Sequence, residues 1–255
     1  MRRRFAAVLG LTLAAGLAGA GFARAEDAPV CEVPAYLLTT DSTLPKVANT
    51  IRSARPLNVL VVGSRSSTIN SSESSAYPAR LQEALQEALK GRLPSIPVNL
   101  SVEIQGGKTA EDTAGGLVKL VEAKNPTLVI WQTGTVDAMR SVDPDDFRGA
   151  VDEGVVALQK AGTDVVMVNL QYSPRTETMI SARPYLDNMR VVAQQHDVPL
   201  FDRFAIMRHW NEAGDFDLFS NVHGTDMAKK VHACIGRALS KFVLDAARLD
   251  PAQQN

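Results

Sequence analysis

The stretch LNVLVVGSRSSTIN, residues 57–70, decides the fold. Its first half is an apolar, mostly β-branched run, which predicts a buried strand over Leu57–Val62. A glycine, Gly63, ends this run, and a group of serine hydroxyls follows it directly. Open α/β sheets bind their ligands beyond the carboxyl ends of the strands. The residues just after Val62 are therefore the first candidates for a functional site.

The rest of the chain alternates apolar strands with amphipathic helices. Further strands are predicted over Val98–Ile104, Thr127–Thr133, Asp164–Leu170 and Val198–Phe201. Helices are predicted over Tyr77–Leu93, Thr109–Ala123, 144–161, Ser181–His196, 203–213 and 225–247. Connections of crossover length favour parallel strands with helices on both faces of the sheet. The pattern therefore predicts an α/β fold, a three-layer α/β/α sandwich around a five-stranded parallel sheet.

The N-terminal segment, residues 1–25, is predicted to be a secretory signal peptide. Three arginines precede an apolar run from Phe5 to Phe22, and small residues then mark a cleavage site after Ala25. An uncleaved membrane anchor is the alternative, because the run is close to the shortest length that spans a bilayer.

The remaining chain is predicted to form one folded domain. Residues 26–56 contain four prolines and are predicted to be an arm, residues 57–249 the domain and residues 250–255 a tail. Cleavage would remove four arginines and no acids, leaving 23 of the 27 basic residues against 28 acidic ones, a net charge of −5. This balance argues against nucleic-acid binding. No segment after the signal is apolar enough for stable membrane insertion.

Two cysteines, Cys31 and Cys234, remain after the predicted cleavage. In an exported protein an even number of cysteines permits a disulfide, so we predict that this pair ties the arm to the last helix. Two separate buried thiols are the alternative. Neither cysteine has a histidine or cysteine at the spacing of a metal site, so no metal centre is expected.

Polar residues and glycines follow every long predicted strand. In chain order they are Gly63–Ser66, Gly106–Lys108, Gly134–Asp137, then Gln171, Tyr172 and Arg175, with His223 just before the last helix. Because the carboxyl ends of parallel strands meet at one edge, these residues are expected to converge. Hydroxyls, glycine amides and a distant histidine are the parts of acyl transfer, namely a nucleophile, an oxyanion hole and a general base.

The order of these parts resembles the SGNH, or GDSL-type, hydrolases, and is most similar to an exported bacterial branch of that family. The resemblance rests on six stretches between Leu57 and about Phe242: VVGSRSST, AYPARLQEAL, LVIWQTGTVDA, NLQYSPR, VPLFDRFAIMRHW and VHGTDMAKKVHACIGRAL. It implies a flavodoxin-like sandwich and, in active members, ester hydrolysis or acyl transfer on lipids or acetylated glycans. It implies no metal and no organic cofactor.

The family's catalytic motifs are altered in this chain. The first motif reads Gly, then Asp or Ser, then the nucleophilic serine, and aligning it on Gly63 puts Ser64 second and Arg65 at the nucleophile position. A guanidinium stays protonated and cannot attack a carbonyl. The nucleophile is therefore predicted at Ser66 or Ser64, after a slip of one residue. The third motif, Gly-x-Asn-Asp, has Val136 in place of the asparagine that donates to the oxyanion.

Two further motifs complete the candidate site. The glycine of the second motif is Gly107 or Gly106, whose backbone amide is expected to serve as the oxyanion donor. The last motif, Asp-x-x-His, keeps His223 as the general base but has lost its aspartate. If His223 is the base, Asp226 or Asp217 is expected to orient its imidazole. The alternative is that His223 is a loop residue that only forms structural hydrogen bonds.

Other polar residues are given binding or structural roles. Arg65, Gln171 and Tyr172 are predicted to contact the substrate, although Arg65 is more simply expected to pair with Asp137 or a loop acid. His232 is predicted to lie on a helix surface.

Two functions remain open. The first is an exported esterase or acyltransferase, periplasmic or secreted, that acts on an acyl or acetyl ester of an envelope polysaccharide or lipid. The second is a catalytically impaired SGNH-like protein that binds an acylated glycan or a protein partner in the same pocket, its serines bonding only to local backbone. The resemblance favours the first function, and the replacements at Arg65, Val136 and Ser220 favour the second.

Overall fold

The computed structural model describes residues 31–70, 72–90, 96–219 and 224–249. Its strands are β1 (Leu57–Gly63), β2 (Val98–Ile104), β3 (Leu128–Gln132), β4 (Asp164–Val168) and β5 (Leu200–Phe201). They form one parallel sheet in the order β2-β1-β3-β4-β5. The chain leaves β1 for β2 on one side and then returns past β1 to β3. Ligands of doubly wound sheets bind at such a switch point, here between β1 and β3.

Helices cover both faces of this sheet. They are α1 (Pro45–Arg52), α2 (Tyr77–Lys90), α3 (Ala110–Lys124), α4 (Thr135–Met139), α5 (Pro144–Lys160), α6 (Pro174–Met179), α7 (Arg183–Gln195), α8 (Arg203–Glu212) and α9 (Gly224–Ala246). On one face the Trp131 indole packs against Gly154 of α5, where a Cβ would overlap the ring. On the other face Phe201 meets Phe242 of α9 edge to face, with ring centroids 5.5 Å apart. The predicted three-layer sandwich is confirmed.

The long elements begin and end close to the predicted residues, and β2 spans the predicted residues. The short helices α4 and α6 were not expected, since five or six residues are too few to show a helical period. The segment 203–213 buries Phe204, Met207 and Trp210. This apolar face therefore belongs to the core.

The arm contains a helix that the sequence analysis did not identify. Val47 and Ile51 of α1 are buried, and the helix begins with Pro45 at its first position. The Asp164 carboxylate accepts from the amides of Lys46 and Val47 at 2.8 and 2.9 Å, which satisfies two free N–H groups at the start of the helix. The arm is therefore packed into the core.

The predicted disulfide is confirmed, since Cys31 and Cys234 are bonded with their Cα atoms 5.3 Å apart. It fastens the beginning of the described chain to α9. The predicted signal peptide, residues 1–25, and the tail, residues 250–255, lie outside the described residues. No helix within the described ranges has both the length and the apolar composition of a membrane span.

Candidate active site

The candidate nucleophiles lie in a tight turn after β1. Gly63 ends the strand where a side chain would overlap Ser67, so the turn requires glycine. Ser64 caps the short 3₁₀ helix Arg65–Ser67, because its Oγ accepts from the Ser66 amide at 3.3 Å. The Oγ atoms of Ser64 and Ser66 are 3.1 Å apart. The turn thus brings both hydroxyls to the switch point of the sheet.

Gln132, the last residue of β3, binds these hydroxyls from the neighbouring strand. Its Nε2 donates to Ser66 Oγ at 2.7 Å and to Ser64 Oγ at 3.1 Å. Its Oε1 accepts from Ser67 Oγ at 2.7 Å and from the Tyr77 hydroxyl at 3.1 Å. Gln132 is only 4% exposed. Its amide therefore orients the serine hydroxyls from a buried position.

Arg203, the first residue of α8, places a cation in the same network. Its Nη1 donates to Gln132 Oε1 at 2.9 Å and to Ser66 Oγ at 3.2 Å, and its Nη2 donates to the Ser66 carbonyl oxygen at 3.0 Å. The side chain is fully buried, and no carboxylate of the described residues pairs with it. Burial lowers the pKa of Arg203 to about 10, so the guanidinium stays charged at neutral pH.

These contacts decide what the Ser66 hydroxyl can do. Gln132 and Arg203 both donate to Oγ, and donors to an oxygen favour its deprotonated form. The pair would therefore stabilise an alkoxide at Ser66. Two donors engage both lone pairs of the neutral hydroxyl, so the lone pair available for attack on a carbonyl carbon is the one freed when Oγ loses its proton.

The sequence analysis missed Gln132 and Arg203. Each carries a signal in the sequence, since Gln132 is the one amide in the apolar strand TLVIWQT and Arg203 begins an apolar helix stripe. Polar groups in such positions are buried only when they are hydrogen-bonded, which indicates a network.

The predicted oxyanion glycines form the turn that follows β2. Gly106 and Gly107 are exposed, and Gly107 takes the left-handed φ of 75°. Arg65 lies over this turn, with its Nε 3.4 Å from the position that a Cβ of Gly106 would occupy. The guanidinium therefore lies beside the amide that was expected to bind an oxyanion.

The Gly134–Asp137 motif forms the start of α4. Asp137 is 1% exposed, and its Oδ1 accepts from the Ala110 amide at 2.8 Å, which ties α4 to α3. Burial raises the pKa of this carboxyl. The expected ion pair between Arg65 and Asp137 is wrong, because Asp137 is enclosed behind the turn and bonds to backbone instead. Val136 offers no donor and borders the site with an apolar surface.

The space at the switch point is small. A cavity of about 10 Å³ lies among residues that include Ser64, Lys108 and Val136. A larger cavity of about 550 Å³ lies between α6, α7 and α8, and another of about 340 Å³ lies between α2 and β2. The cavity of about 340 Å³ also borders Ser67 and Thr68 of the serine turn.

The predicted substrate contacts Gln171 and Tyr172 follow β4. Tyr172 is 4% exposed, and its ring meets Phe204 edge to face at 5.1 Å. The Gln171 amide donates to Thr135 Oγ1 at 3.4 Å. The structure thus places Gln171 next to α4 and Tyr172 against α8, and neither borders the small cavity at the switch point.

The predicted general base, His223, lies outside the described residues, as does the rest of its motif from Ser220. His232 was expected on a helix surface, and this is wrong. It is 7% exposed, and its Nδ1 accepts from the Tyr77 amide at 2.9 Å. Burial, with a smaller effect of the Arg203 charge, lowers the pKa of His232 to about 3. His232 lies on the buried face of α9, so its side chain packs inward against α2.

No group of three or more potential metal ligands occurs in the part of the chain that the structure describes.

Comparison with known proteins agrees with this architecture. A model of the non-GDSL lipase-like family matches residues 30–249. No curated protein matches the sequence. Among solved structures the chain is similar to TesA, with 18% identity, a TM-score of 0.55, and coverage of 71% of this chain and 97% of that one.

Two further solved structures share the fold. AlinE4, an SGNH-hydrolase family esterase, has 17% identity and a TM-score of 0.50 over 63% of this chain and 82% of that one. The acetyl xylan esterase AlAXEase has 16% identity and a TM-score of 0.53 over 68% and 97%. At these identities the likeness shows a shared fold, which is the fold that the resemblance to SGNH hydrolases implies.

Proposed function

Because this chain belongs to the non-GDSL lipase-like family, we propose that it is an esterase or acyltransferase with a serine nucleophile. Ser66 is the residue that the geometry favours. The observation that carries this proposal is the pair of donors on its Oγ, Gln132 Nε2 at 2.7 Å and Arg203 Nη1 at 3.2 Å. Ser64 is the alternative nucleophile, although its Oγ is engaged in capping the 3₁₀ helix.

The reaction would proceed through an acyl-serine. Ser66 Oγ attacks the ester carbonyl carbon, and its proton passes to the imidazole of His223, which returns it to the departing alkoxide. A backbone amide of Gly107 or Gly106 stabilises the negative oxygen of the intermediate. Water then releases the acid in an esterase, and a second hydroxyl accepts the acyl group in a transferase.

The proposed substrate is an acyl or acetyl ester on an envelope polysaccharide or lipid. Export to the periplasm or medium is part of this proposal, supported by the disulfide, which is typical of oxidising compartments. The mass of the protein recovered from the periplasm of a bacterial host tests export. A chain beginning at residue 26 supports it, and a full-length chain retained in the cytosol overturns it.

Hydrolysis of 4-nitrophenyl acetate by the mature protein tests the chemistry. We expect Ser66→Ala to reduce turnover to background and His223→Ala to reduce it by about 10²- to 10⁴-fold. Ser53→Ala, an exposed serine at the opposite edge of the sheet, serves as the matched control. A fluorophosphonate probe followed by peptide mass analysis identifies the nucleophile, because it modifies an activated serine. Wild-type turnover no higher than that of Ser66→Ala, together with no adduct on Ser66 or Ser64, overturns the enzyme proposal.

A second function is favoured by the position of Arg65. Its guanidinium lies beside Gly106, at the place where the family's first motif carries the nucleophile, and Val136 removes a side-chain oxyanion donor. We propose as the alternative a protein that binds an acylated glycan or a protein partner at this edge without hydrolysing it. Tight binding of an acetylated glycan by a protein that shows no turnover and no adduct would support this alternative.

A further inference from the structure

Three cationic side chains surround the turn at Gly106 and Gly107. Arg65 Nε lies 3.4 Å from the position of a Cβ on Gly106, and Arg140 Nη2 lies 3.9 Å from the equivalent position on Gly107. Lys108 follows directly in the chain and borders the small cavity at the switch point. Three segments distant in sequence, from the ends of β1, β2 and α4, thus contribute one positive charge each to the same turn.

These charges are not neutralised by neighbouring side chains. Arg65, Lys108 and Arg140 are exposed, and within the described ranges none of their side chains makes an ion pair or hydrogen bond. The carboxylate of Asp112 interacts electrostatically with two of them, Arg140 and Lys108. A hydrogen bond from the Thr109 amide at 3.1 Å lowers the pKa of Asp112, with smaller contributions from Arg140 and Lys108. Among the described residues, Asp112 therefore offsets only part of the charge of the three cations.

Several arginines outside this group are paired with neighbouring acids. The full chain has 27 basic and 28 acidic residues, and Arg80 pairs with Glu83 at 2.8 Å and Arg190 with Asp187 at 2.9 Å. Like charges repel when they are gathered without a counter-ion. An unpaired group of three at the sheet edge that binds ligands in this fold therefore indicates that an anion belongs there.

We propose that Arg65, Lys108 and Arg140 bind an anionic group of the ester-bearing ligand. Guanidinium groups match the planar, two-oxygen geometry of a carboxylate or phosphate, and an ammonium adds a point charge. The glycines leave the turn open, so an anion can approach the backbone closely between the two guanidinium groups. The ester part of this statement rests on the proposed function, whereas the anion site rests on the three cations themselves.

Calorimetric titration at low ionic strength tests the site independently of catalysis. The probes are trigalacturonate as a carboxylate, inorganic phosphate, and neutral galactotriose. We expect the wild type to bind an anionic probe in preference to galactotriose, and Arg65→Gln and Arg140→Gln each to weaken that binding about tenfold. Arg55→Gln, an exposed arginine at the opposite end of β1, is expected to have no effect. The probe that binds distinguishes a carboxylate ligand from a phosphate ligand.

A kinetic measurement separates this inference from the proposed function. The ratio of kcat/KM for 4-nitrophenyl hydrogen glutarate to that for 4-nitrophenyl butyrate should fall about tenfold in Arg65→Gln and stay constant in Arg55→Gln. If an anionic probe binds but neither ester is hydrolysed, the esterase proposal is rejected and the anion-site proposal stands. Equal binding of trigalacturonate, phosphate and galactotriose, or anion binding unchanged in Arg65→Gln and Arg140→Gln, would overturn the anion site.

Discussion

The guanidinium of Arg203 donates to Oε1 of Gln132 at 2.9 Å, and the two side chains are 0% and 4% exposed. A buried cation thus faces a neutral amide oxygen rather than a carboxylate. The same oxygen accepts from Ser67 and from Tyr77. The Gln132 amide oxygen therefore accepts from donors of the turn after β1, of α2 and of α8.

Gln132→Ala is expected to destabilise the protein by about 3 to 5 kcal/mol, because it removes one acceptor of the buried Arg203 guanidinium and the acceptor of the buried Ser67 and Tyr77 hydroxyls. Gln132→Glu should cost less than Gln132→Ala, since a carboxylate keeps the acceptor beside Arg203 and the serine hydroxyls can rotate to donate to it. Urea unfolding at pH 7 measures both changes. Gln194→Ala, on the exposed side of α7, is the control and should change stability by less than about 0.5 kcal/mol. Equal losses for Gln132→Ala and Gln132→Glu would contradict the role given to Oε1.

Arg65→Ser is expected to increase ester hydrolysis. The substitution removes the cation beside Gly106 and puts a hydroxyl at the position where the family's first motif has its nucleophile. Adding Val136→Asn restores a side-chain donor, and such a donor is worth about 10²- to 10³-fold in turnover. The measurement is 4-nitrophenyl acetate hydrolysis in a Ser66→Ala background, where the increase over Ser66→Ala itself reports the new hydroxyl.

The matched control for this gain is Arg55→Ser, which removes an exposed arginine at the other end of β1. It should leave hydrolysis unchanged. Activity that stays at background in the combined variant would show that the geometry of the turn, and not the side chain at position 65, prevents attack.

The fold was predictable because each long element carries its own hydrophobic period. The apolar run before Gly63 and the alternation in β2 identify strands directly, and the crossover lengths between them imply parallel pairing. Helix α1 was missed because its polar surface and prolines resemble a loop, although Val47 and Ile51 are spaced as on one face of a helix. The hydrophobic pattern of each long segment was therefore enough to predict the architecture, whereas short segments such as α1 were not predicted.

The site was predictable only in position. Strand order brings Ser64, Ser66 and Gly106 to one edge, as the sequence predicted. The partners Gln132 and Arg203 could not be identified, because their contacts join residues 66 to 137 positions apart and a single sequence does not pair them. Burial of a polar side chain is decided by tertiary packing, so its role becomes visible only in the structure.

His232 gives the protein a defined sensitivity to acid. Its pKa is about 3 in the folded chain against 6.5 for an ordinary histidine, because burial and the nearby Arg203 charge disfavour the imidazolium. The unfolded chain therefore binds more protons between these two values, and the stability held by neutral His232 is lost as the pH falls from 6.5 towards 3. Between pH 7 and pH 4 this contribution is about 3 kcal/mol.

Unfolding free energies at several pH values measure this effect in wild type and in His232→Asn, whose side-chain oxygen can still accept from the Tyr77 amide. The difference in stability between the two should shrink as the pH falls, since asparagine does not titrate. Gln194→Ala, the exposed control on α7, should retain the wild-type dependence on pH. A difference that stays constant from pH 7 to pH 4 would contradict the neutral, buried state of His232.

The bond between Cys31 and Cys234 is expected to contribute about 2 to 4 kcal/mol to stability, because it closes a loop between residues 203 positions apart and so restricts the unfolded chain. Replacing both cysteines by serine should lower the denaturation midpoint by the corresponding amount, and a reductant should lower that of the wild type in the same way. The reductant should leave the double variant unchanged, which separates loss of the bond from other effects of the reagent. Thiol titration of the unfolded, unreduced protein should detect no reactive cysteine, and two reactive thiols would show that the bridge does not form in solution.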